Sequence, residues 1–384
     1  MSYSCIKQIN EIFESRQKFS PCGIKDYMEK LKNQKIVLYG AGAFGSENLQ
    51  LLRKYGIEPI CFLDKKAIER QVKEGVAVFR PDDETLSREF RREVVVYICI
   101  TTSKETMDSI TQYLYQIGYD DVRVVQTITA HQVKYQNIEE ENPTLAELIK
   151  CMPEIERAYL LMEDDESKET FLSCLRAHLL REYEECYETS SPVQYFDAGV
   201  PLKRGYAGFV DCGAYNGDSV DMILKYTEQI DRYIAFEPIQ SNFMELSKKV
   251  DLLGNSIREA YLFPCGVAEA TGNAYFTQEA SASTMNDIQQ GVLLPIVRID
   301  DVVKNAPVTF LKMDIEGAEL AALHGARELI SEQMPDLAIS VYHFVNHYWD
   351  IPCAIYEMNN KYKFYLRSHT PGTLETVLYC VSNQ

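Results

Sequence analysis

The chain is short of positive charge: 39 Lys and Arg stand against 57 Asp and Glu, a formal net charge of −18 over 384 residues. A field of that sign repels polyanions, which argues against general binding to nucleic acid or to an anionic membrane surface. A local basic pocket remains compatible with it. No Cys-x-x-Cys pair occurs, and the 11 cysteines, an odd count, are scattered from Cys5 to Cys380. Several lie in apolar runs, such as Cys99 in VVVYICI. This is the usage of reduced, buried thiols, not of a disulfide framework or a zinc site. No apolar run approaches the ~18 residues of a membrane-spanning helix. The start MSYSCIKQINEIFESRQ is polar and carries acids, unlike a signal peptide. A soluble, cytoplasmic protein is expected. Hydrophobic residues make up 46% and charged residues 25%, an ordinary globular composition that excludes disorder and fibrous repeats. At ~150 residues per domain, the length suggests two or three domains.

Residues 1–32 read as amphipathic helix, with Ile6, Ile9, Ile12 and Phe13 on one face, then Tyr27 and Leu31 after a break at Pro21–Gly23. An alternating pattern follows: strand KIVLYG, helix GAFGSENLQLLRKYG, strand IEPICFLD, a helix over Pro81–Arg91, strand VVVYICI, helix SKETMDSITQYLYQIG and strand DVRVV. Such alternation implies right-handed parallel crossovers and a doubly wound sheet. Residues 1–135 are therefore expected to form a small Rossmann-like domain. Residues 136–195 read as a helical connecting segment of two or three helices, whose acidic run Glu163–Glu166 reads as a solvated turn. Residues 196–384 carry a second α/β pattern that ends in two alternating segments, YKFYLRSH and TLETVLYCVS, expected to close the sheet as an antiparallel hairpin.

Two glycine-rich turns each follow a strand and open a helix. The first, Gly40-Ala41-Gly42-Ala43-Phe44-Gly45, is a full G-x-G-x-x-G. Gly40 suits a tight turn, Gly42 a close approach of phosphate to backbone, and Gly45 tight packing of helix on strand, with the helix N-terminus offering free N–H groups. Asp64 ends the next strand, where a ribose hydroxyl would be held. This region resembles the sugar-nucleotide-binding amino-terminal domains of bacterial sugar acetyltransferases and, more distantly, nicotinamide-binding domains. The resemblance implies a nucleotide-sugar as a second ligand.

The second turn, Asp211-Cys212-Gly213-Ala214-Tyr215-Asn216-Gly217-Asp218-Ser219, departs from the dinucleotide fingerprint. An acid, Asp211, precedes the glycines, suited to an ammonium or an ordered water. The next strand ends Phe236-Glu237-Pro238, and Glu237 stands where a carboxylate can hold both ribose hydroxyls. A glycine turn with an acid at its head and another after the second strand is the pattern for S-adenosylmethionine. The plainer reading is an ordinary turn with a helix-capping Asp.

VDCGAYNGDS, AFEP, SAST at Ser281–Thr284, VRIDDV and LKMDIEGAEL then occur in the order seen in the FkbM-type methyltransferase family. The resemblance runs from about Phe196 to Ser382 and is most specific at KMDIEGAE. It implies a class I methyltransferase fold (a seven-stranded Rossmann-like sheet), S-adenosylmethionine as methyl donor and a hydroxyl acceptor on a small molecule, sugar or glycan. Carried onto this chain, it places Asp211, Gly213, Ala214 and Gly217 in the cofactor turn, with Tyr215, Asp218, Ser219 and Pro238 beside them. Glu237 then lies at the ribose and Asp314 beside the methyl group. The amino-terminal unit lies outside the family's core and reads as an addition.

Methyl transfer to an alcohol gains from positioning and from a general base. His343 ends the strand LAISVYH, at the ligand-facing edge of a parallel sheet, and is the leading base; His347 is a weaker one. Asp314, Glu316 and Glu319 cluster around Gly317. One or more could bind the acceptor or a divalent cation, but the segment alone supplies too few ligands and no metal is expected. Glu319 reads as helical and structural. Ser283 and Thr284 are candidates for the acceptor pocket, and Arg298 and Arg367 for pairing with an anionic group on the substrate. Two rival readings stand beside this one. An NAD(P)-dependent oxidoreductase or epimerase built on GAGAFG would need a Tyr and a Lys four apart on a following helix, whereas Ser103–Gly118 has Tyr113 and Tyr115 but only Lys104. A non-catalytic nucleotide-binding module would not need the intact glycines and acids of both turns. An oligomer is compatible with either reading.

Overall fold

The computed structural model describes residues 2–18, 24–68, 71–100, 104–124, 145–180, 193–279, 282–286, 291–304, 306–370, 373 and 375–382. They divide into two units: residues 1–150, 172–192 and 370–373 form one, and residues 151–171, 193–369 and 374–384 the other.

The first unit begins with α1 (Ser2–Lys18) and α2 (Ile24–Leu31). The expected apolar face is buried at Ile9, Ile12, Phe13 and Leu31. A six-stranded sheet follows from β1 (Ile36–Tyr39), β2 (Cys61–Leu63), β3 (Val72–Lys73), β4 (Val76–Phe79), β5 (Val95–Ile98) and β6 (Asp121–Val124), in the order β3-β4-β2-β1-β5-β6. β1 is parallel to β2 and to β5, as the strand–helix alternation requires. β1, β2 and β5 read as unbroken apolar runs because both sheet faces are covered. The β3–β4 hairpin has no sequence signature: only four residues pair around Glu74–Gly75, too few to leave an alternating pattern, and the sheet edge, not a sequence period, sets their register. Between the strands run α3 (Ala43–Lys54), α4 (Arg88–Glu93) and α5 (Lys104–Gln116).

The connecting segment contains α6 (Leu145–Lys150), α7 (Met152–Leu161) and α8 (Asp165–Leu180). Residues 136–144 and 181–192 of it lie outside the described residues.

The second unit is built on a seven-stranded sheet. Its strands are β7 (Gly208–Cys212), β8 (Ile230–Phe236), β9 (Ile257–Phe263), β14 (Phe310–Met313), β15 (Asp336–Ser340), β16 (Lys363–Ser368) and β17 (Thr376–Val381), in the order β16-β17-β15-β14-β7-β8-β9. β15, β14, β7, β8 and β9 are parallel; β17 runs antiparallel to β15 and to β16. The C-terminal hairpin thus closes the sheet as the two alternating segments require. Helices α9 (Asp218–Tyr226), α10 (Gln240–Leu253), α11 (Ile299–Val303), α12 (Glu319–His324) and α13 (His347–Met358) connect the strands. The core is aromatic, with Phe209, Tyr233, Phe310 and Tyr379 each at most 1% exposed.

A second, four-stranded sheet adds β10 (Gly266–Ala268), β11 (Gly272–Glu279), β12 (Ala282–Asn286) and β13 (Val292–Arg298), in the order β10-β13-β11-β12. The segment around SAST, whose Ser283 and Thr284 are candidates for the acceptor pocket or else a plain polar turn, is mostly strand: Ser283 pairs with Gln278 and Thr284 with Thr277 across β11 and β12. Their side chains lie outside the described residues.

The acidic run is solvated at Glu163, Asp165 and Glu166, as expected, but it is more than a solvated turn. Arg367, on β16 and 0% exposed, draws Asp164 Oδ2 to 2.6 Å, Asp197 Oδ1 to 3.3 Å and Glu166 Oε2 to 3.4 Å. A buried guanidinium demands anions, and three carboxylates from distant segments converge on it. Arg367 is therefore spent inside the chain. Arg298 is likewise taken up by Asp300, Asp301 and Glu328.

Candidate active site

In an open parallel sheet, ligands bind beyond the carboxyl ends of the strands where the strand order reverses. Here that point lies between β7 and β14, the neighbours from which the chain works outward in both directions. The segments leaving β7, β8, β14 and β15 carry the expected residues.

The turn after β7 is held from three sides. The N–H groups of Gly213 and Ala214 both donate to the Phe236 carbonyl at the end of β8, each at 3.0 Å. Gly213 has φ +77°, and a Cβ there would run into the Asp314 carbonyl oxygen, so glycine is required twice over. Gly217, also left-handed, caps α9. The Tyr215 amide donates to Glu237 Oε2 at 2.9 Å, and the Ile239 amide to Glu237 Oε1 at 2.8 Å. Glu237 therefore ties the β7 turn to the β8 turn, and burial raises its pKa. Ser219 is buried at the start of α9, where its amide donates to Asp218 Oδ1 at 2.8 Å, while Asp218 is exposed. Pro238 continues the β8 turn. In the β7 turn, the buried Asn216 Oδ1 has no hydrogen-bond partner among the described residues. An acceptor left in that state invites a ligand donor.

Asp211 was expected to face an ammonium, and it does, but the ammonium belongs to the chain. Lys312 Nζ lies 3.1 Å from Asp211 Oδ1 and donates to the Gly213 carbonyl at 2.7 Å, while the Tyr233 hydroxyl donates to Asp211 Oδ2 at 2.9 Å. Asp211 is 0% exposed. Burial alone would lower the Lys312 pKa, but Asp211, together with Tyr195, Asp314 and Asp218, outweighs it and holds the ammonium above its usual range. This pair braces the turn from below. Lys312 was missed from sequence because its role depends on register: it stands directly opposite Asp211 across β14 and β7.

Beyond β14 and β15 a second group assembles. Asp314 follows β14, its amide donating to Cys212 O at 3.0 Å and its Oδ1 accepting from the Tyr342 hydroxyl at 3.3 Å. His343 follows β15 and is 3% exposed. Its Nδ1 lies 2.9 Å from Glu319 Oε1, and its Nε2 lies 3.5 Å from both Asp314 Oδ1 and Glu316 Oε2. Glu319, expected to be helical and structural, opens α12, is 0% exposed and also accepts from the Ile315 amide at 2.9 Å. Burial pulls the His343 pKa down, but Glu319, joined by Asp314 and Glu316, more than offsets it, and the imidazole is raised to about 9. Burial likewise opposes ionisation of Glu319, yet His343 leads the groups that lower it to about 2. His347, the weaker base candidate, is 3% exposed, with Nδ1 3.4 Å from Glu319 Oε2. Burial depresses its pKa to about 4. It backs Glu319 and does not open onto a substrate surface. Glu375, which no motif marked, joins the group: burial and then Asp314 push its carboxyl up to about 7, and Gln194 donates to it at 3.1 Å. Trp349 is core, 1% exposed.

In the first unit, the Gly40–Gly45 turn has the geometry of its fingerprint: a Cβ on Gly45 would meet the Gly40 carbonyl oxygen. Asp64 Oδ2 accepts from the Ala41 amide at 3.0 Å, and Lys73 Nζ donates to the Ala41 and Gly42 carbonyls at 2.6 and 3.0 Å.

Strand order, hairpin and carboxyl-edge site define an α/β protein with the class I methyltransferase fold. Residues 211–370 match the family model of the methyltransferase FkbM domain, and the chain carries a methyltransferase domain of that family there. Among solved structures, the methyltransferase FkbM from Methylobacillus flagellatus KT aligns with a TM-score of 0.65 and 22% identity, over 98% of this chain and 100% of that one. The amino-terminal unit, expected as an addition, is thus matched in that structure too. A structure from Clostridium thermocellum described as an rRNA methylase aligns at 13% identity over 47% of this chain and 88% of its own. Its TM-score is 0.31. No curated protein matches this chain in sequence. No helix among the described residues is long and apolar enough to cross a membrane.

Proposed function

We propose that the chain is an S-adenosylmethionine-dependent O-methyltransferase acting on a hydroxyl of a small molecule, sugar or glycan. One observation carries this reading. The ends of four adjacent parallel strands bring the Gly213–Gly217 turn, Glu237, Asp314 and His343 to one edge, where the strand order reverses. The residues present fit the donor. Glu237 keeps lone pairs beyond its two backbone contacts and suits ribose hydroxyls. The orphaned Asn216 Oδ1 suits a donor group, and Tyr215, 41% exposed, offers a ring face. S-adenosylmethionine, when bound, supplies a methyl group on an electrophilic sulfonium.

The chain's own part is to hold, orient and manage one proton. Asp314 stands beside the acceptor. Glu319 stands 2.9 Å from His343 Nδ1 and stabilises the imidazolium; because the imidazole is raised to about 9, only its deprotonated form can take the hydroxyl proton on Nε2, and turnover is expected to rise with pH toward 9. For the Gly40–Gly45 turn, a nucleotide-sugar is the proposed ligand. It rests on the resemblance, with Lys73 adding positive charge beside the turn.

Isothermal titration with S-adenosylmethionine tests the reading. One saturable site per chain is expected, weakened at least tenfold in Glu237→Ala. A parent protein that binds nothing, or a variant that binds like the parent, ends it.

A further inference from the structure

The first unit gathers positive charge around its glycine turn. Lys65 and Lys66 follow β2, and Lys73 ends β3; none of them forms an ion pair with a described residue. In a chain of net charge −18, ammoniums left unpaired around one turn call for an anion. Lys73 is placed by the β3–β4 hairpin, whose tip residues Glu74 and Gly75 are left-handed, with φ +50° and +84°. The Glu74 side chain accepts from Gln50, and its carbonyl accepts from Arg53 Nη1 at 3.0 Å, both on α3. The hairpin is thereby fastened to the helix that the Gly40–Gly45 turn opens. Lys73 Nζ donates to the Ala41 and Gly42 carbonyls at 2.6 and 3.0 Å and keeps a third N–H for another acceptor. No side chain caps α3 at Gly42, and a Cβ there would meet nothing within 4 Å. The first N–H groups of this 12-residue helix thus face open space beside an ammonium.

A second, independent feature lies next to them. Tyr39, the last residue of β1, is 4% exposed, yet its hydroxyl makes no hydrogen bond among the described residues. The Asp64 carboxylate is near enough to oppose ionisation of that hydroxyl but does not accept its proton. Asp64 gives one contact from each oxygen, to the Ala41 and Lys66 amides at 3.0 and 2.8 Å, and keeps its remaining lone pairs. A ligand hydroxyl between the two side chains would accept from Tyr39 and donate to Asp64. A buried hydroxyl without a partner is costly, and a ribose supplies what both groups lack.

We propose that the first unit binds a nucleoside diphosphate, its phosphates between Lys73 and the start of α3 and its ribose between Tyr39 and Asp64. This rests on the nucleotide reading of the Gly40–Gly45 turn and narrows it. The recognised part is the ribose and diphosphate, held whether or not a sugar is attached. A phosphate oxygen is a stronger partner for the Lys73 ammonium than the two neutral carbonyls it now touches. S-adenosylmethionine, a cation without phosphates, gains nothing from Lys73, so the two glycine turns of the chain take ligands of opposite charge.

The test is isothermal titration of the full chain with uridine diphosphate and, separately, adenosine diphosphate, each with and without saturating S-adenosylhomocysteine. About one nucleotide per chain is expected for at least one of them, with the same affinity in the presence of S-adenosylhomocysteine. The matching nucleoside, which lacks the phosphates, should bind at least tenfold more weakly. Lys73→Met should weaken the diphosphate at least tenfold, and Tyr39→Phe should weaken diphosphate and nucleoside alike. Melting curves identify a variant that fails to fold, and Lys73→Met, on the outer hairpin, then carries the comparison. If a folded parent binds neither diphosphate, the nucleotide reading of the turn fails and the proposal with it. If folded Lys73→Met and Tyr39→Phe bind the diphosphate as tightly as the parent, that reading stands and the proposal is overturned. Displacement of the nucleotide by S-adenosylhomocysteine overturns it as well.

Discussion

Glu319 has no exposed surface, yet it is ionised, because two backbone amides and His343 share its charge. This pairing fixes how the protein answers to pH. The folded His343 pKa, about 9, stands above its ordinary 6.5, so its contribution to stability is complete below about 6.5 and is lost as pH rises through 9. The folded Glu319 pKa, about 2, stands below its ordinary 4.5, so its contribution is complete above about 4.5 and is lost as pH falls toward 2. Thermal melts should therefore fall on the alkaline side between pH 6.5 and 9. In His343→Gln that limb should flatten; an unchanged alkaline slope would show that the pair does not ionise as described. None of this could be read at Glu319 itself, which sits in a helix-like run, GAELAALHG. Its partner lies 24 positions away, and only the parallel register of β14 and β15 brings the two together.

At the scale of elements, the turn after β7 is a clamp built from three strands. Glu237 holds it from β8, Lys312 props it from β14, and the Asp314 carbonyl crowds the α-carbon of Gly213. Gly213→Ala must relieve a collision with backbone at a left-handed position. A loss of about 1–3 kcal/mol is expected, seen as a melting point several degrees lower, with S-adenosylmethionine affinity falling as well. A variant as stable as the parent, binding equally well, would show that the turn is loosely held. Much of this element was legible. A glycine after an apolar strand signals a turn, and an acid after the next strand signals a second one. What escaped were features with no local pattern. SAST is polar enough to pass for a turn, but becomes strand by pairing with β11. Glu163–Glu166 looks solvated until the buried Arg367, about two hundred residues on, claims Asp164 and Glu166.

At the scale of the whole molecule, two glycine-turn sheets stand in one chain, and among the described residues only the second has an orphaned buried acceptor in its turn. In the first unit, Asp64 and Lys73 are occupied with the turn's own backbone. The alternation of strand and helix disclosed both sheets; it could not say which of them holds the donor, because both turns are glycine-rich. The net charge of −18 suits a sulfonium better than a polyanion. The most direct measurement is a crystal structure with S-adenosylhomocysteine. The account predicts the ligand across the β7 and β8 turns, with ribose hydroxyls on Glu237 and its sulfur toward Asp314. Density for it at Gly40–Gly45 alone, or at neither turn in a fully soaked crystal, would contradict it.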